Sequence, residues 1–149
     1  MNDVIWSVDS RKDKVEELII RMREHADEIL LPIEISYKIS THKLDLNQKM
    51  KGRIRQDLYF IYKEIINNVA KHSNASQVKI DLRNNGQIFK MVISDNGQGR
   101  GNSKAAPKSG QGMKNLKMRA QHLNAQLTFL EDNGFTVILS MQKFLKSLN

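Results

Sequence analysis

The sequence lacks cysteine altogether and has few aromatic residues and only two prolines, and these shortages exclude several classes of protein. Without cysteine there are no disulfides, no thiolate nucleophile and no Cys-ligated zinc site. No apolar run approaches the roughly 20 residues that a membrane-spanning helix requires. Residues 1–10 lack the basic start and the apolar stretch of a signal peptide. We therefore expect a cytoplasmic domain. A piece cut from a membrane receptor would show the same features.

The chain carries 24 basic and 16 acidic residues, which give it a formal net charge of +8. This excess predicts an anionic partner: nucleotide phosphates, nucleic acid, an acidic protein or a lipid surface. Aromatic residues make up 6% of the chain and do not interleave with the basic residues as in single-strand binders, so nucleic acid is not expected. A length of 149 residues suits one domain with one core.

The apolar pattern predicts three helices and five strands, without internal repeats or a domain linker. The helices are expected from a cap at Ser10 to Pro32, over about Arg53–His72, and over about Met113–Leu123. The strands are expected over 33–39, 78–83, 88–95, 127–131 and 135–141. Hairpin turns are expected at 84–86 and 132–134, where Asn and Gly allow the required backbone angles. The predicted fold is a two-layer α/β sandwich, with the helices on one face of a mixed, mostly antiparallel five-stranded sheet.

One face of the second helix carries Glu64, Asn68 and Lys71, which are four and three residues apart. This face lies roughly opposite the apolar stripe of the helix. A carboxylate, an amide oxygen and an ammonium group in one line are suited to hold a hydrated magnesium ion and its phosphates. Taken alone, this motif is better interpreted as a solvated helix face with a Glu-Lys surface pair.

A second motif, Asp95-Asn96-Gly97-Gln98-Gly99, closes a predicted strand. Asp95 continues the apolar face of that strand, so its carboxylate needs a donor to offset the cost of burial. The exocyclic amine of adenine is such a donor, and glycines let a flat base approach the backbone. The alternative is an ordinary turn, for which Asp-Asn-Gly is common chemistry.

A third motif, Gly110-Gln111-Gly112, immediately precedes the third helix. Glycines at a helix start expose backbone N–H groups, and the helix dipole favours an anion there. Lysines and arginine in the preceding loop add positive charge. The alternative, which is the better interpretation of a lone G-x-G, is a flexible loop with solvated lysines.

The order of these motifs along the chain is more specific than any one of them. In that order the chain resembles the GHKL ATP-binding fold, which gyrases, heat-shock chaperones, mismatch-repair ATPases and histidine kinases share. Residues 63–72 resemble the N box of the histidine-kinase branch, 95–99 its G1 box and 110–116, followed by Arg119, its G2 box. Residues 134–136 resemble the late Gly-x-Thr of the family. Residues 3–9 resemble the segment that precedes the ATPase domain in kinases of the nitrate-sensor and desaturase-sensor type.

The resemblance implies ATP and magnesium as ligands. It makes Asn68 the magnesium ligand, Asp95 the residue that binds the adenine amine, and Glu64 the catalytic acidic residue of the N box. The further nucleotide-binding residues that it implies are Lys71, His72, Gly97, Gly99, Gly110, Gly112, Met113 and Thr136. Residues 98–112 become the ATP lid. By the same resemblance, residues 1–10 form a linker, 11–142 the ATP-binding domain and 143–149 a tail.

The chain contains no phosphoacceptor motif. His25, His42 and His122 lack the expected flanking pattern, and we interpret them as ordinary surface or satisfied histidines. The resemblance therefore implies a catalytic domain that transfers the γ-phosphoryl group of Mg-ATP to a histidine on a separate dimerisation domain and is inactive without it. It further implies a homodimeric full-length protein, a response regulator as partner, and membrane attachment only through other regions. The alternative is a GHKL protein-serine kinase of the anti-sigma type, which the linker-like start of the chain disfavours.

Overall fold

The computed structural model describes residues 13–72, 74–97, 111–131 and 133–142. The helices in these parts of the chain are α1 (Val15–Ile29), α2 (Gly52–His72) and α3 (Gln111–His122). The strands are β1 (Ser36–His42), β2 (Gln77–Asn84), β3 (Ile88–Asp95), β4 (Ala125–Glu131) and β5 (Phe135–Gln142). The predicted α/β fold, with three helices and a five-stranded sheet, is confirmed.

The strands form one sheet in the order β1-β2-β3-β5-β4. Strands β1 and β2 are parallel and are joined by a crossover that contains α2, as a parallel pair requires. The other neighbours, β2 with β3, β3 with β5, and β4 with β5, are antiparallel. The sheet is therefore mixed and mostly antiparallel, as predicted.

The core lies between the helices and one face of the sheet. Alternate residues of the three central strands are buried on this face: Val78, Ile80, Leu82, Phe89, Met91, Ile93, Val137, Leu139 and Met141. The residues between them include Lys79, Arg83 and Lys90, which are exposed on the other face. We call the first surface the helix face and the second the open face. Burial of one face only is what produces the alternating pattern in the sequence.

The predicted start of the first strand is wrong. Leu31–Ile33 forms a 3₁₀ turn with Pro32 in its first positions, where the fixed φ of proline is favourable. Glu34 then takes a left-handed conformation, with φ of 62°, before β1 begins. Helix α1 begins at Val15, with Lys14 at its N-cap and no side-chain capping bond. The predicted cap, Ser10, lies outside the described residues.

Both predicted hairpin turns lie where expected. At the first, Asn85 Oδ1 accepts the N–H groups of Gln87 and Ile88, and Gly86 has φ of 95°. At the second, Asn133 and Gly134 have positive φ, while Asp132 lies outside the described residues. These residue types tolerate left-handed angles at little cost, so the turns fix the connections from β2 to β3 and from β4 to β5.

Candidate nucleotide-binding site

The connectivity brings the predicted motifs to one edge of the sheet. Helix α2 ends at His72 and β2 begins at Gln77, so the last turns of α2 lie at the edge where β2 starts. Strand β3 ends at the same edge, because it runs antiparallel to β2 and Asp95 pairs with Val78. Asp95 also pairs with Phe135, the first residue of β5. We call this the site edge.

Asp95 is 8% exposed and lies on the helix face. Its Oδ1 accepts the backbone N–H of Gly97 at 2.7 Å, a local bond that fixes the direction of the carboxylate. A carboxylate at the end of an apolar strand face, held in this way, is suited to accept a hydrogen bond from a base.

The second residue of the same motif, Asn96, connects β3 to the start of β2. Its Oδ1 accepts the N–H groups of Ser76 and Gln77 at 2.9 and 3.0 Å, and its Nδ2 donates to Ser76 Oγ at 2.9 Å. No role was predicted for Asn96 from the sequence. The asparagine thus ties the segment that follows α2 to the end of β3 and stabilises the site edge.

Gly134 lets the β4–β5 turn pass close to the end of β3. A Cβ atom at this position would collide with the backbone carbonyl oxygen of Asp95, and the φ of 135° is itself rarely adopted by other residues. Glycine is therefore required here by close backbone approach as well as by conformation. The packing of this turn supports the backbone that carries the Asp95 side chain.

Glu64 meets the start of α3. A Cβ atom at Gly112 would lie 2.5 Å from Glu64 Oε2 and 3.3 Å from Glu64 Cδ. In this arrangement a side chain at Gly112 would require the flexible Glu64 side chain to move away from the helix start. A carboxylate near a helix N-terminus is favoured by the helix dipole. The fold thus joins the predicted N-box acid to the predicted G2 box.

Thr136 does not share a face with the Asp95 side chain. The register pairs Asp95 with Phe135 and Ser94 with Thr136, and successive strand residues point to opposite faces. Thr136 therefore lies on the open face, and Phe135, 9% exposed, is the residue beside Asp95 on the helix face. Phe135 was not predicted from the sequence, because the Gly-x-Thr resemblance pointed to Thr136.

A separate polar cleft of about 270 Å³ lies at the site edge. It is lined by Gln77, Lys79, Ser94, Asp95, Asn96, Asn133 and Thr136. Since Lys79, Ser94 and Thr136 lie on the open face, this cleft is on the side of the sheet away from Glu64 and α3.

The remaining predicted residues lie on α2 and at the start of α3. Asn68 is half-buried, and its Nδ2 atom is buried without a hydrogen-bond partner among the described residues. Lys71 and His72 are exposed in the last turn of α2, where cations also interact favourably with the helix dipole. Gly97 and Met113 are half-buried. Gly99 and Gly110 lie outside the described residues, as do the predicted linker and tail.

Asn68 offers an amide oxygen, the type of ligand that a magnesium ion of the kind predicted from the sequence would use. Its orphaned atom within the described residues is the amide nitrogen, a hydrogen-bond donor that does not coordinate a metal ion. In the same parts of the chain, no three His, Asp or Glu side chains cluster as metal ligands. A magnesium ion here would therefore rely on few protein oxygens, as ions bound mainly by phosphates and water do.

The three histidines interpreted as ordinary all have neighbours that account for them. His25 is 6% exposed and lies edge-on to the rings of Tyr59 and Tyr62. Burial lowers the pKa of His25 to about 4, and the charge of Lys63 acts in the same direction. His42 lies 3.3 Å from Asp81 and His122 lies 3.5 Å from Asp57.

Helix α3 is also connected to α2 by a buried acidic residue that the sequence analysis missed. Arg119 Nη1 lies 2.9 Å from Asp57 Oδ1, and the side chain of Asp57 is 5% exposed. The available signal was an acidic residue beside the apolar stripe of α2, three residues before Phe60. A carboxylate there needs a cationic partner, but the sequence pattern did not identify which one.

Among the described residues, none of the helices combines the length and the apolar character of a membrane span.

In sequence, the chain is similar to sensor histidine kinases. It is 29% identical over 94 residues to the sensor histidine kinase MctS of Rhizobium johnstonii, which covers 62% of this chain and 20% of that protein. It is 28% identical over 122 residues to the sensor protein VraS of Staphylococcus aureus, which covers 80% of this chain and 32% of that protein. The chain thus spans about a third or less of these curated relatives. No protein-family model matches it.

Solved structures with the same fold include histidine kinases. The catalytic domain of histidine kinase ThkA aligns with a TM-score of 0.67 at 12% identity, over 87% of this chain and 94% of that one. Histidine kinase AdeS of Acinetobacter baumannii aligns with a TM-score of 0.68 at 12% identity, over 87% of this chain and 65% of that one. At this level of identity the likeness shows the fold.

Proposed function

We propose that this chain, which is related to sensor histidine kinases and has the fold of their catalytic domains, binds Mg-ATP and supplies its γ-phosphoryl group to a histidine on another segment. The observation that carries the proposal is the contact of Glu64 with Gly112, beside a sheet edge that ends in Asp95. Two of the predicted motifs, far apart in sequence, thus lie together, and the third ends a strand at the same edge of the sheet, which supports the arrangement that the resemblance implies.

Adenine binding is assigned to the helix face at the site edge. The Asp95 carboxylate, oriented by the Gly97 N–H group, accepts a hydrogen bond from the exocyclic amine. Phe135 replaces Thr136 in this proposal as the β5 residue beside the base, because it shares the face of Asp95. The Phe135 ring already stacks on Phe129 with centroids 6.1 Å apart, so this wall of the site is apolar.

Phosphate binding is assigned to the end of α2 and the start of α3. Asn68 would hold magnesium through its amide oxygen, and the ion would neutralise part of the phosphate charge. Lys71 adds positive charge at the end of α2, and His72 adds a ring N–H group that can donate a hydrogen bond. The N-terminus of α3, near Gly112, favours an anion through its backbone N–H groups and the helix dipole, as other helix starts do. Glu64 is positioned beside these groups to orient or deprotonate a reacting group.

The acceptor histidine lies on another segment, which we assign to a dimerisation domain. His25 is enclosed by tyrosine rings, and its low pKa reflects a site that excludes charge. His42 and His122 each lie beside a carboxylate, which would repel a phosphoryl group. A homodimeric full-length kinase, a response regulator as partner and any membrane connection belong to the same proposal.

Transfer to a trans acceptor tests this function directly. The chain is incubated with radiolabelled Mg-ATP and a separate fragment that bears the proposed dimerisation helices with their histidine. We expect slow labelling of the fragment, because the tether that raises the local concentration is absent. The label should be acid-labile, as phosphohistidine is. Acid-stable phosphoserine on a partner would instead favour the anti-sigma type of kinase, and failure to bind Mg-ATP would exclude both.

A further inference from the structure

We infer that Asp57 and Arg119 are a positioning pair that holds the start of α3 in register on α2. This inference rests on the proposed nucleotide-binding function, because the register matters through the contact of Gly112 with Glu64. Neither Asp57 nor Arg119 is among the predicted nucleotide-binding residues.

The two contacts between the helices have matched spacing. Gly112 and Arg119 are seven residues apart on α3, and Glu64 and Asp57 are seven residues apart on α2 in the opposite direction. Seven residues are about two helical turns, or roughly 10 Å. The antiparallel helices therefore share one register, and a slide of α3 by one turn would break both contacts together.

Burial makes the Asp57 end of this register selective. The Asp57 side chain is 5% exposed, the Arg119 side chain 25% and the His122 side chain 40%. A carboxylate left at this site without its cation would be strongly unfavourable, so the helices are held where Arg119 reaches it. The Arg119 guanidinium also lies 4.5 Å from the centre of the Phe60 ring. A planar guanidinium satisfies both neighbours, whereas lysine offers only a point charge.

A buried ion pair of this kind adds little net stability compared with well-packed apolar residues. Its advantage is geometric, because it penalises every arrangement in which the charges are apart. At the other end of α3, the register that it selects brings the Gly112 backbone against the Glu64 carboxylate. The pair therefore acts on phosphate binding through the position of α3 and does not touch the nucleotide.

The test separates position from stability by comparing three variants. R119A leaves the carboxylate of Asp57 without its main partner. R119K keeps a positive charge near Asp57, so it is the variant to measure if R119A does not fold. In D57N/R119M both charges are removed and an apolar side chain fills part of the space. R83A is the matched control, since Arg83 pairs with Asp81 at 2.8 Å on the open face.

We measure urea unfolding, and the affinities for Mg-ATP and for adenosine. R119A should lose stability and about tenfold in Mg-ATP affinity, which corresponds to about 1.4 kcal/mol, with adenosine affinity changed less than about twofold. R119K should lose a smaller part of the Mg-ATP affinity. D57N/R119M should regain stability but not Mg-ATP affinity. R83A should leave both affinities unchanged.

Two results overturn the inference while leaving the proposed function intact: wild-type affinity for Mg-ATP in folded R119A and R119K, or recovery of that affinity together with stability in D57N/R119M. If the unsubstituted chain fails to bind Mg-ATP, the proposed function is wrong. Amide exchange over residues 115–122, whose N–H groups bond within α3, tests the register itself, with faster exchange expected in R119A and unchanged exchange contradicting the pair's role.

Discussion

At the scale of single residues, the chemistry of the site depends on how short side chains are held. Asp95 is oriented by the Gly97 N–H group, and the backbone beneath it is supported by the close approach of Gly134. The Asn96 side chain forms three hydrogen bonds with Ser76 and Gln77, at the start of β2. The carboxylate is therefore presented by a backbone that is fixed from two sides, which reduces the entropy lost on binding a base.

Asp95→Asn should nearly abolish adenine-nucleotide binding and leave the fold intact. The amide replaces an acceptor-only carboxylate, so the charge-assisted bond to the base is lost. Such a loss costs about 1.5–3 kcal/mol, or roughly ten- to a hundredfold in affinity. Titration calorimetry on the folded variant measures this change, and an unaltered ATP affinity would contradict the assignment.

Asn68→Ala should weaken the binding of Mg-ATP by about tenfold or more and leave that of adenosine within about twofold. The assigned role of the amide is toward the metal, which adenosine does not bring to the site. Calorimetry with and without magnesium measures both affinities. An equal loss for adenosine and Mg-ATP would identify Asn68 as a structural residue.

Gly134→Ala should destabilise the domain far more than Gly86→Ala. Both glycines have positive φ, so both substitutions carry conformational strain of about 1–3 kcal/mol. A Cβ atom at Gly134 would also collide with the Asp95 carbonyl oxygen, whereas one at Gly86 would have no atom within 4 Å. Urea unfolding of the two variants compares them, and equal losses would show that the close approach costs nothing.

At the scale of elements, the packing of α1 on α2 contains a buried titratable group. His25 of α1 lies against Tyr59 and Tyr62 of α2, and Tyr62 donates its hydroxyl hydrogen to the Met22 carbonyl oxygen at 2.7 Å. Burial raises the pKa of the Tyr62 hydroxyl, which stays protonated and keeps this bond. Of these three rings, only His25 therefore changes its charge state between pH 6.5 and 4.

The free energy of unfolding should fall as the pH is lowered from 6.5 to 4. The folded state holds His25 neutral with a pKa of about 4, while the unfolded state takes up a proton near pH 6.5. Because the unfolded state binds more protons in this window, acid favours unfolding, by about 2–3 kcal/mol for this group.

Urea unfolding of the unsubstituted chain and of His25→Phe at several pH values isolates the contribution of His25 to this pH dependence. The variant should lose a large part of the decline between pH 6.5 and 4, whereas His42→Phe, at an exposed position, should retain it. An undiminished decline in His25→Phe would contradict the assignment to His25.

At the scale of the whole molecule, the chain should not phosphorylate itself. Phosphoryl transfer requires an acceptor nitrogen in line with the γ-phosphate at near contact distance. His72 lies in the last turn of α2 and is fixed to the helix that would bind the nucleotide. The other histidines are buried or beside carboxylates.

Incubation with radiolabelled Mg-ATP, followed by mapping of any label, checks this expectation. Stable label on any of the four histidines would contradict the proposal that the acceptor lies on another segment.

The fold class, most element bounds and the relation to sensor histidine kinases were predicted from the sequence alone. Strand β3 occupies the residues predicted for it, and α2 begins one residue before its prediction. These features depend on short-range physics: the period of burial in a helix or strand, and the backbone angles that Asn and Gly permit in turns. The order of the motifs then reduced the number of folds that the predicted elements could form, because motif order is itself part of the sequence.

The tertiary structure alone decided which side chains meet. The face of Thr136 relative to Asp95 depends on the register between β3 and β5, and a difference of one residue reverses it. The contacts of Asn96 with Ser76, of Gly112 with Glu64 and of Arg119 with Asp57 span 20, 48 and 62 residues. Periodicity states that a residue is buried but does not identify its partner across the core. These partners are determined by the packing of α3 on α2 and by the order of the strands in the sheet.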